Sequence, residues 1–347
     1  IQPALLAALA AAPETERALL RWEELLTNLP TAINLFNLLE ARPGLLEQLA
    51  RILSLAPPLA DALARRADLL DPLIDASAFE LPAEVPALIA DFRRFEPDAD
   101  YERTLDIVRR MVAELRFALG VQLIEGANDP LAIGAGLARV AEASITVLAD
   151  AAIAEFRRKH GQIQGSELVI LGLGRMGGGV LTHASDLDLV MLFSDPGENE
   201  SDGPRPLSPT LYFNRLAQRV VAALTVPTAE GALYEVDTRL RPSGEQGPPA
   251  ASFEAFARYQ REQAWTWEHM ALTRARPIYG SPAARAALEG LVHAILKAPR
   301  DPARLRADVL EMRTTMAGHK PAKGPLDVKL ARGGLVDLEF LVHFLQL

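Results

Sequence analysis

Residues 167–193 read ELVILGLGRMGGGVLTHASDLDLVMLF, and the way the two apolar runs in this stretch are joined decides the fold. Glu167 to Leu171 is a run of strand length, and Leu187 to Phe193 is a second, with a glycine-rich turn after the first. Gly172, Gly174 and Gly177 spell G-x-G-x-x-G, and Asp195 closes the next strand about twenty residues on, which on paper is a dinucleotide-binding fingerprint. The connection argues against it. Only eight residues separate Gly177 from Asp186, whereas a parallel crossover with its helix needs at least ~10 to 12. A βαβ unit does not fit comfortably, and the dehydrogenase reading is set aside.

Outward from this stretch the chain is helical. Residues 1 to about 160 are rich in Ala and Leu and punctuated by Pro. Leu137, Ala141, Ile145, Leu148, Ala152 and Phe156 form one apolar stripe at helical spacing, which must pack on something. After the second run, Tyr212 to Leu224 reads as a helix and Ala232 to Arg241 (ALYEVDTRLR) as a third strand. Residues 243–249 (SGEQGPP) form a loop by their Gly and Pro content. From Ser252 to about Gly318 the pattern is helical again, broken near Pro277 to Pro282. The expected organisation is a helical bundle over 1–100, a catalytic unit over 101–280 and a helical C-terminal segment over 281–347.

Composition narrows the class. Of 347 residues, 49% are apolar and 23% charged, ordinary values for a globular chain. The absence of Cys excludes disulfides, thiolate metal ligands and a cysteine nucleophile, and suits a reducing cytoplasm. No apolar run approaches ~18 residues, so no membrane span is expected. A net charge of −9 speaks against a nucleic-acid partner. Ile1 is not an initiator Met, and the final EFLVHFLQL stops inside an apolar helical pattern, so the chain reads as a fragment of a longer protein.

The chemistry lies in the carboxylates. Asp186 and Asp188 stand at i and i+2 at the start of the second run and project from one face. Such a pair is stable at an exposed strand end or with a divalent cation between the two groups, since hard cations take carboxylate oxygens and keep waters and phosphates as further ligands. On the third strand, Glu235, Asp237, Arg239 and Arg241 share one face by period two. Asp237 is the choice for a third carboxylate ligand, with Glu235 second. Three carboxylates can hold two metal ions about 4 Å apart, one activating an attacking hydroxyl and one bridging a triphosphate. Arg239 and Arg241 would neutralise a leaving pyrophosphate, or else simply pair with Glu235 and other surface acids. Gly177, Gly178 and Gly179 allow backbone N–H groups to approach phosphates. Ser185 belongs with this turn, because no histidine–acid pair accompanies it as a nucleophile would require.

A glycine-rich segment leading into S-D-x-D-L, then Y-x-V-D-x-R-L-R-P-S-G, resembles the nucleotidyltransferase domains of the glutamine synthetase adenylyltransferase/adenylyl-removing family. Residues 57–74 resemble the helical segment before such a domain, and residues 324–340 a motif after it, so the likeness covers nearly the whole chain. Arg175 stands where these domains commonly carry Lys. Residues 259–280 (YQREQAWTWEHMALTRARPIYG) resemble the transferring, C-terminal half; the removing half more often reads Q-G-x-x-W-E-R there.

The resemblance implies a mostly α, α+β architecture: a polymerase-beta-type nucleotidyltransferase with a small mixed sheet, flanked by helical bundles. It implies transfer of AMP from ATP to a tyrosine of glutamine synthetase with release of pyrophosphate. It places Asp186, Asp188 and Asp237 on the metal-binding aspartates, with Mg2+ or Mn2+ as the ion. Glutamine and a PII signalling protein would regulate the longer enzyme. The rival readings are the adenylyl-removing half, a polymerase-beta-type enzyme acting on RNA or a small-molecule hydroxyl, and a binding module with vestigial carboxylates.

Three further features stay open between roles. Trp265, Trp267, Glu268 and His269 read as core packing more readily than as a base-stacking platform, and His269 is not needed as a base where a metal activates the hydroxyl. Arg274 and Arg276 reach phosphates or pair with Glu268. Lys329 and Arg332 beside Gly333-Gly334 touch substrate or cap the helix that follows.

Overall fold

The computed structural model describes residues 2–10, 14–28, 32–71, 79–194 and 199–347; Asp195 and residues 72–74 of the 57–74 segment lie outside them. Five helices lead the chain, α1 (Gln2–Ala10), α2 (Thr15–Asn28), α3 (Ala32–Ala41), α4 (Pro43–Leu55) and α5 (Pro57–Arg65). Pro43 and Pro57 open the last two, where the missing N–H has no intrahelical acceptor to lose. Leu5, Leu9, Leu25, Leu49, Leu53 and Leu63 are fully buried between these helices. Each such side chain contributes roughly 2 kcal/mol.

Two long helices carry this bundle onto the rest, after α6 (Val85–Arg94). Asp100 caps α7 (Tyr101–Glu125) by accepting from the Arg103 N–H, and Gly126 ends it in the left-handed conformation, φ 62°. Asp129 caps α8 (Pro130–His160) through the N–H groups of Leu131 and Ala132. Phe117 and Val121 of α7 close the N-terminal core, while Val108, Val112 and Leu119 of the same helix join the central one. The stripe Leu137 to Phe156 on α8 is buried in that central core. By length and composition α8 is apolar enough to cross a membrane, contrary to the expectation that no apolar run is long enough; 67% of its most apolar window is buried, as in a core helix.

One buried cation ties α7 to the rest. Arg109 is 2% exposed and donates to the carbonyls of Leu105, Ala223, Val226 and Gly231. Those last three belong to the end of α10 (Pro209–Thr225) and the turn after it. Replacing Arg109 with Ala leaves buried carbonyls unpartnered and opens a cavity. The expected loss is about 3–5 kcal/mol, read from the urea midpoint; a loss under about 1 kcal/mol would show that water replaces the guanidinium freely.

The sheet is small and mixed. β1 (Leu168–Gly172) pairs antiparallel with β2 (Leu187–Phe193) and, on its other edge, with β5 (Arg276–Tyr279). β3 (Val236–Asp237) and β4 (Ala250–Ser252) both run parallel to β2 along its far edge. The antiparallel β1–β2 pair removes the dinucleotide-binding unit, which needs parallel strands. Ile170, Leu189 and Met191 meet α8 and α10 on one face of the sheet. Val169, Leu171, Val190 and Leu192 meet α11 (Phe253–Glu262), α12 (Thr266–Leu272) and α13 (Pro282–Leu296) on the other. α14 (Pro302–His319) and α15 (Leu335–Gln346) follow. The described residues are thus mostly helical around a small mixed sheet.

The third strand is shorter than its pattern. Alternation predicts a strand over Ala232–Arg241, yet only Val236 and Asp237 pair with β2 before the chain turns out of the sheet and returns at Ala250. Pro242 has no N–H to give a ladder, and Ser243 and Gly244 both take left-handed φ, 63° and 57°. The four-residue polar face expected from Glu235 to Arg241 therefore ends at Asp237. β4 falls between the expected 243–249 loop and the helical pattern from Ser252, and β5 at the expected helix break near Pro277; both are too short to show a period.

Candidate active site

The carboxylates meet where β2 begins. Asp188 and Asp237 are direct partners across the parallel β2–β3 pair, and Asp186 precedes the strand by one residue. One oxygen from each of Asp186, Asp188 and Asp237 lies within 4.8 Å of the others. Asp186 is exposed and the other two are half-buried. Three anions this close repel. Burial first, then Asp186 and Asp237, push the Asp188 carboxyl up to about 6, opposed by Arg274 and Arg239. All three offer hard oxygen ligands, so the set fits a divalent ion such as Mg2+ or Mn2+.

Asp237 is held differently. Arg239 clasps its carboxylate, with Nε 2.8 Å from Oδ2, and the Arg239 backbone N–H donates to Oδ1 at 2.8 Å. That side-chain bond holds the Asp237 carboxyl below its ordinary range despite partial burial. Arg239 thus pairs with the predicted ligand itself and not with Glu235. Arg241 folds back on its own loop, donating to the carbonyls of Thr238, Glu245 and Gly247 and to the Thr238 hydroxyl. It shapes the excursion between β3 and β4.

The glycine turn divides into separate jobs. A one-turn helix, α9 (Gly174–Gly177), follows β1. Gly174 has φ +53°, and a Cβ there would stand 2.2 Å from Asp188 Oδ2, so this glycine is what lets the turn touch the cluster. At Gly177 a Cβ would meet the Arg274 carbonyl at 1.9 Å, so its glycine is needed for backbone packing. At Gly178 a Cβ would meet its nearest neighbour at 3.4 Å, an ordinary contact, so packing does not demand glycine there. Ser185 Oγ accepts from the Thr182 N–H and bonds the Thr182 hydroxyl, while exposed Arg175 donates to Thr182 Oγ1 at 3.0 Å. His183, in the same turn, is pushed down to about 4 by burial and then by Arg116, so it carries no charge near neutral pH.

A family model described as Glutamate-ammonia ligase adenylyltransferase matches residues 46–291. The chain belongs to the glutamate–ammonia ligase adenylyltransferase family. Two curated relatives show how far the likeness runs. The bifunctional glutamine synthetase adenylyltransferase/adenylyl-removing enzyme of Brucella melitensis biotype 1 is 44% identical over 352 aligned residues, covering 100% of this chain and 36% of that protein. The enzyme of the same description from Mesorhizobium japonicum is 43% identical, covering 99% of this chain and 35% of its own length. The chain therefore spans about a third of the family members it matches.

Against that family background, several residues have roles that sequence reasoning placed elsewhere. Trp265 is 70% exposed, so the expectation that this aromatic group packs in the core does not hold for it. Glu268 is buried, accepting from the Tyr259 hydroxyl and the Trp265 N–H, which leaves Arg274 and Arg276 to other partners. Arg276 pairs with Glu142 at 2.7 Å and donates to the carbonyls of Met176 and Gly177. His269 bonds the Gln260 carbonyl through Nε2. In the basic turn, Asp337 of the following helix reaches back to accept from the Gly333 N–H at 2.6 Å, while Lys329 and Arg332 are exposed. Gly174 is the site residue the sequence reading left unassigned; its place two residues after a buried strand end was the available signal.

Proposed function

We propose that the chain is the AMP-transferring unit of a glutamine synthetase adenylyltransferase. The observation that carries this is the convergence of Asp186, Asp188 and Asp237 at the mouth of a small mixed sheet, in a family named for adenylyl transfer. The sheet is read as that of a polymerase-beta-type nucleotidyltransferase, with the catalytic unit over 101–280 between a helical bundle and a helical C-terminal segment.

In this reading Asp186, Asp188 and Asp237 hold the divalent ions, Mg2+ or Mn2+. A bound ion supplies charge neutralisation at the triphosphate and lowers the pKa of the attacking hydroxyl. The chain's own groups do the positioning. Asp188, raised toward neutrality without a cation, becomes fully ionised when one binds. Arg239 orients Asp237 by its two-atom clasp. Gly177, Gly178, Ser185 and Arg175 line the turn where the phosphates of ATP would lie, with Arg241 bracing the loop opposite. The tyrosine oxygen forms a bond to the α-phosphorus, the bond to the bridging oxygen breaks, and pyrophosphate leaves with its electron pair while the phenolic proton passes to solvent.

The transferring half is favoured over the removing half by the WTWEHMALTRAR stretch. Glutamine and a PII signalling protein are the corresponding regulators of the longer protein. The experiment that separates the halves uses AMP-modified glutamine synthetase and inorganic phosphate with Mg2+. The expected result is no phosphate-dependent release of ADP, while ATP with the unmodified synthetase drives modification. Release of ADP from the modified protein would assign the chain to the removing half.

A further inference from the structure

We infer that Arg274 is a phosphate-binding residue of the proposed nucleotide site, kept in reserve by Glu339 of α15. The inference rests on the nucleotidyl-transfer reading and extends it to a residue outside the glycine turn and the aspartate strands.

Position comes first. Arg274 lies just before β5, and its carbonyl packs against Gly177 closely enough to exclude a Cβ there. A Cβ on Gly178 would come within 3.8 Å of Arg274 Cδ, so the arginine stem passes beside the C-terminal end of α9, in the glycine turn. It therefore lies against the glycine turn and bonds none of the three carboxylates among the described contacts.

What Arg274 touches separates it from its neighbours. Arg239 is committed to Asp237, Arg241 to its own loop, and Arg276 to Glu142 at 2.7 Å with that acid largely buried. Arg274 meets Glu339 Oε1 from both terminal nitrogens at 3.3 Å, with both side chains partly exposed. A charge-assisted bond normally closes to about 2.7–2.9 Å, and an exposed pair of this kind is weak. His343 completes the holder. Its Nδ1 lies 2.5 Å from Thr273 Oγ1 and its Nε2 3.3 Å from Arg274, while burial and then the Arg274 charge lower its pKa. A neutral imidazole with Nε2 accepting suits that arrangement. A guanidinium held by one long ion pair and one long neutral contact, beside three carboxylates that would recruit a metal–triphosphate, can exchange its partner for phosphate oxygens with little rearrangement.

The test is equilibrium binding of Mg-ATP, Mg-ADP and AMP to the 347-residue chain at fixed ionic strength, with Arg274→Ala, Glu339→Gln and the double variant. Arg274→Ala is expected to weaken ATP about ten- to hundred-fold and AMP hardly at all. Glu339→Gln, an exposed change that leaves the core intact, is expected to tighten ATP about two- to five-fold, and to lose that effect when Arg274 is Ala. Unchanged ATP affinity in Arg274→Ala, or equal tightening by Glu339→Gln in both backgrounds, would overturn the inference while leaving the transfer reading intact. If the unaltered chain shows no Mg-dependent ATP binding, the reading and the inference fall together.

Discussion

Asp188→Asn is expected to reduce AMP transfer on the order of 10^3-fold or more while leaving the metal-free protein harder to melt. The loss follows from geometry, because Asp188 stands between Asp186 and Asp237 and its removal breaks the only described group of three acids placed to share an ion. The gain follows from linkage. Asp188 titrates near 6 in the folded chain against an ordinary 3.8. Between those values the folded protein retains a proton that the unfolded chain has released, so stability falls as pH rises through that window and stays reduced above it. Asparagine removes the penalty, which after discounting for partial exposure is about 1–2 kcal/mol. Thermal melts at pH 7.5 in chelator should therefore run a few degrees higher for the variant. Adding Mg2+ should raise the melting temperature of the unaltered protein and not of Asp188→Asn. A variant that melts lower in chelator would show that the carboxylate is a structural partner and that the cluster carries no strain.

Gly177→Ala is expected to cost about 3 kcal/mol, one of the larger losses for so small a change. Its Cβ would stand 1.9 Å from the Arg274 carbonyl and 2.5 Å from the Gly172 carbonyl. Both obstacles are backbone, so relief requires the end of β1 and the start of β5 to move apart. Gly178→Ala is the control. Its nearest neighbour would be 3.4 Å away and its φ is −71°, so its urea midpoint should change by less than about 0.5 kcal/mol. Equal losses at the two positions would mean the turn as a whole demands glycine. A loss confined to Gly177 separates the residue whose glycine the packing of the turn demands from the one where it does not.

How much of this was written in the sequence depends on what each signal reports. Leu187–Phe193 reads as a strand and is one to the residue, because a run buried on both faces leaves no other period to follow. The eight-residue gap before Asp186 was enough to reject a crossover, since chain length is a hard constraint. Asp186, Asp188 and Asp237 were each nameable from spacing and family likeness, and the fold brings them together. Alternation failed at Arg239 and Arg241, where Pro242 and left-handed Ser243 turn the chain out of the sheet. Partners distant in sequence were not legible at all. Nothing in the local pattern links Arg274 to Glu339, 65 residues on, or Arg109 to Val226, 117 residues on. Trp265 misled because aromatic density reports average burial, while this indole stands at the start of α12 facing outward.

The central claim is that three carboxylates move an AMP group, and the most direct test follows the label. The chain is incubated with Mg2+ and unmodified glutamine synthetase, with ATP labelled at the α-phosphate in one arm and at the γ-phosphate in the other. The account predicts α-label on a tyrosine of the synthetase in step with released pyrophosphate, no γ-label on the protein, and neither with Asp186→Asn/Asp188→Asn. Transfer of γ-label to the synthetase, or α-label transfer that survives the double substitution, would contradict it.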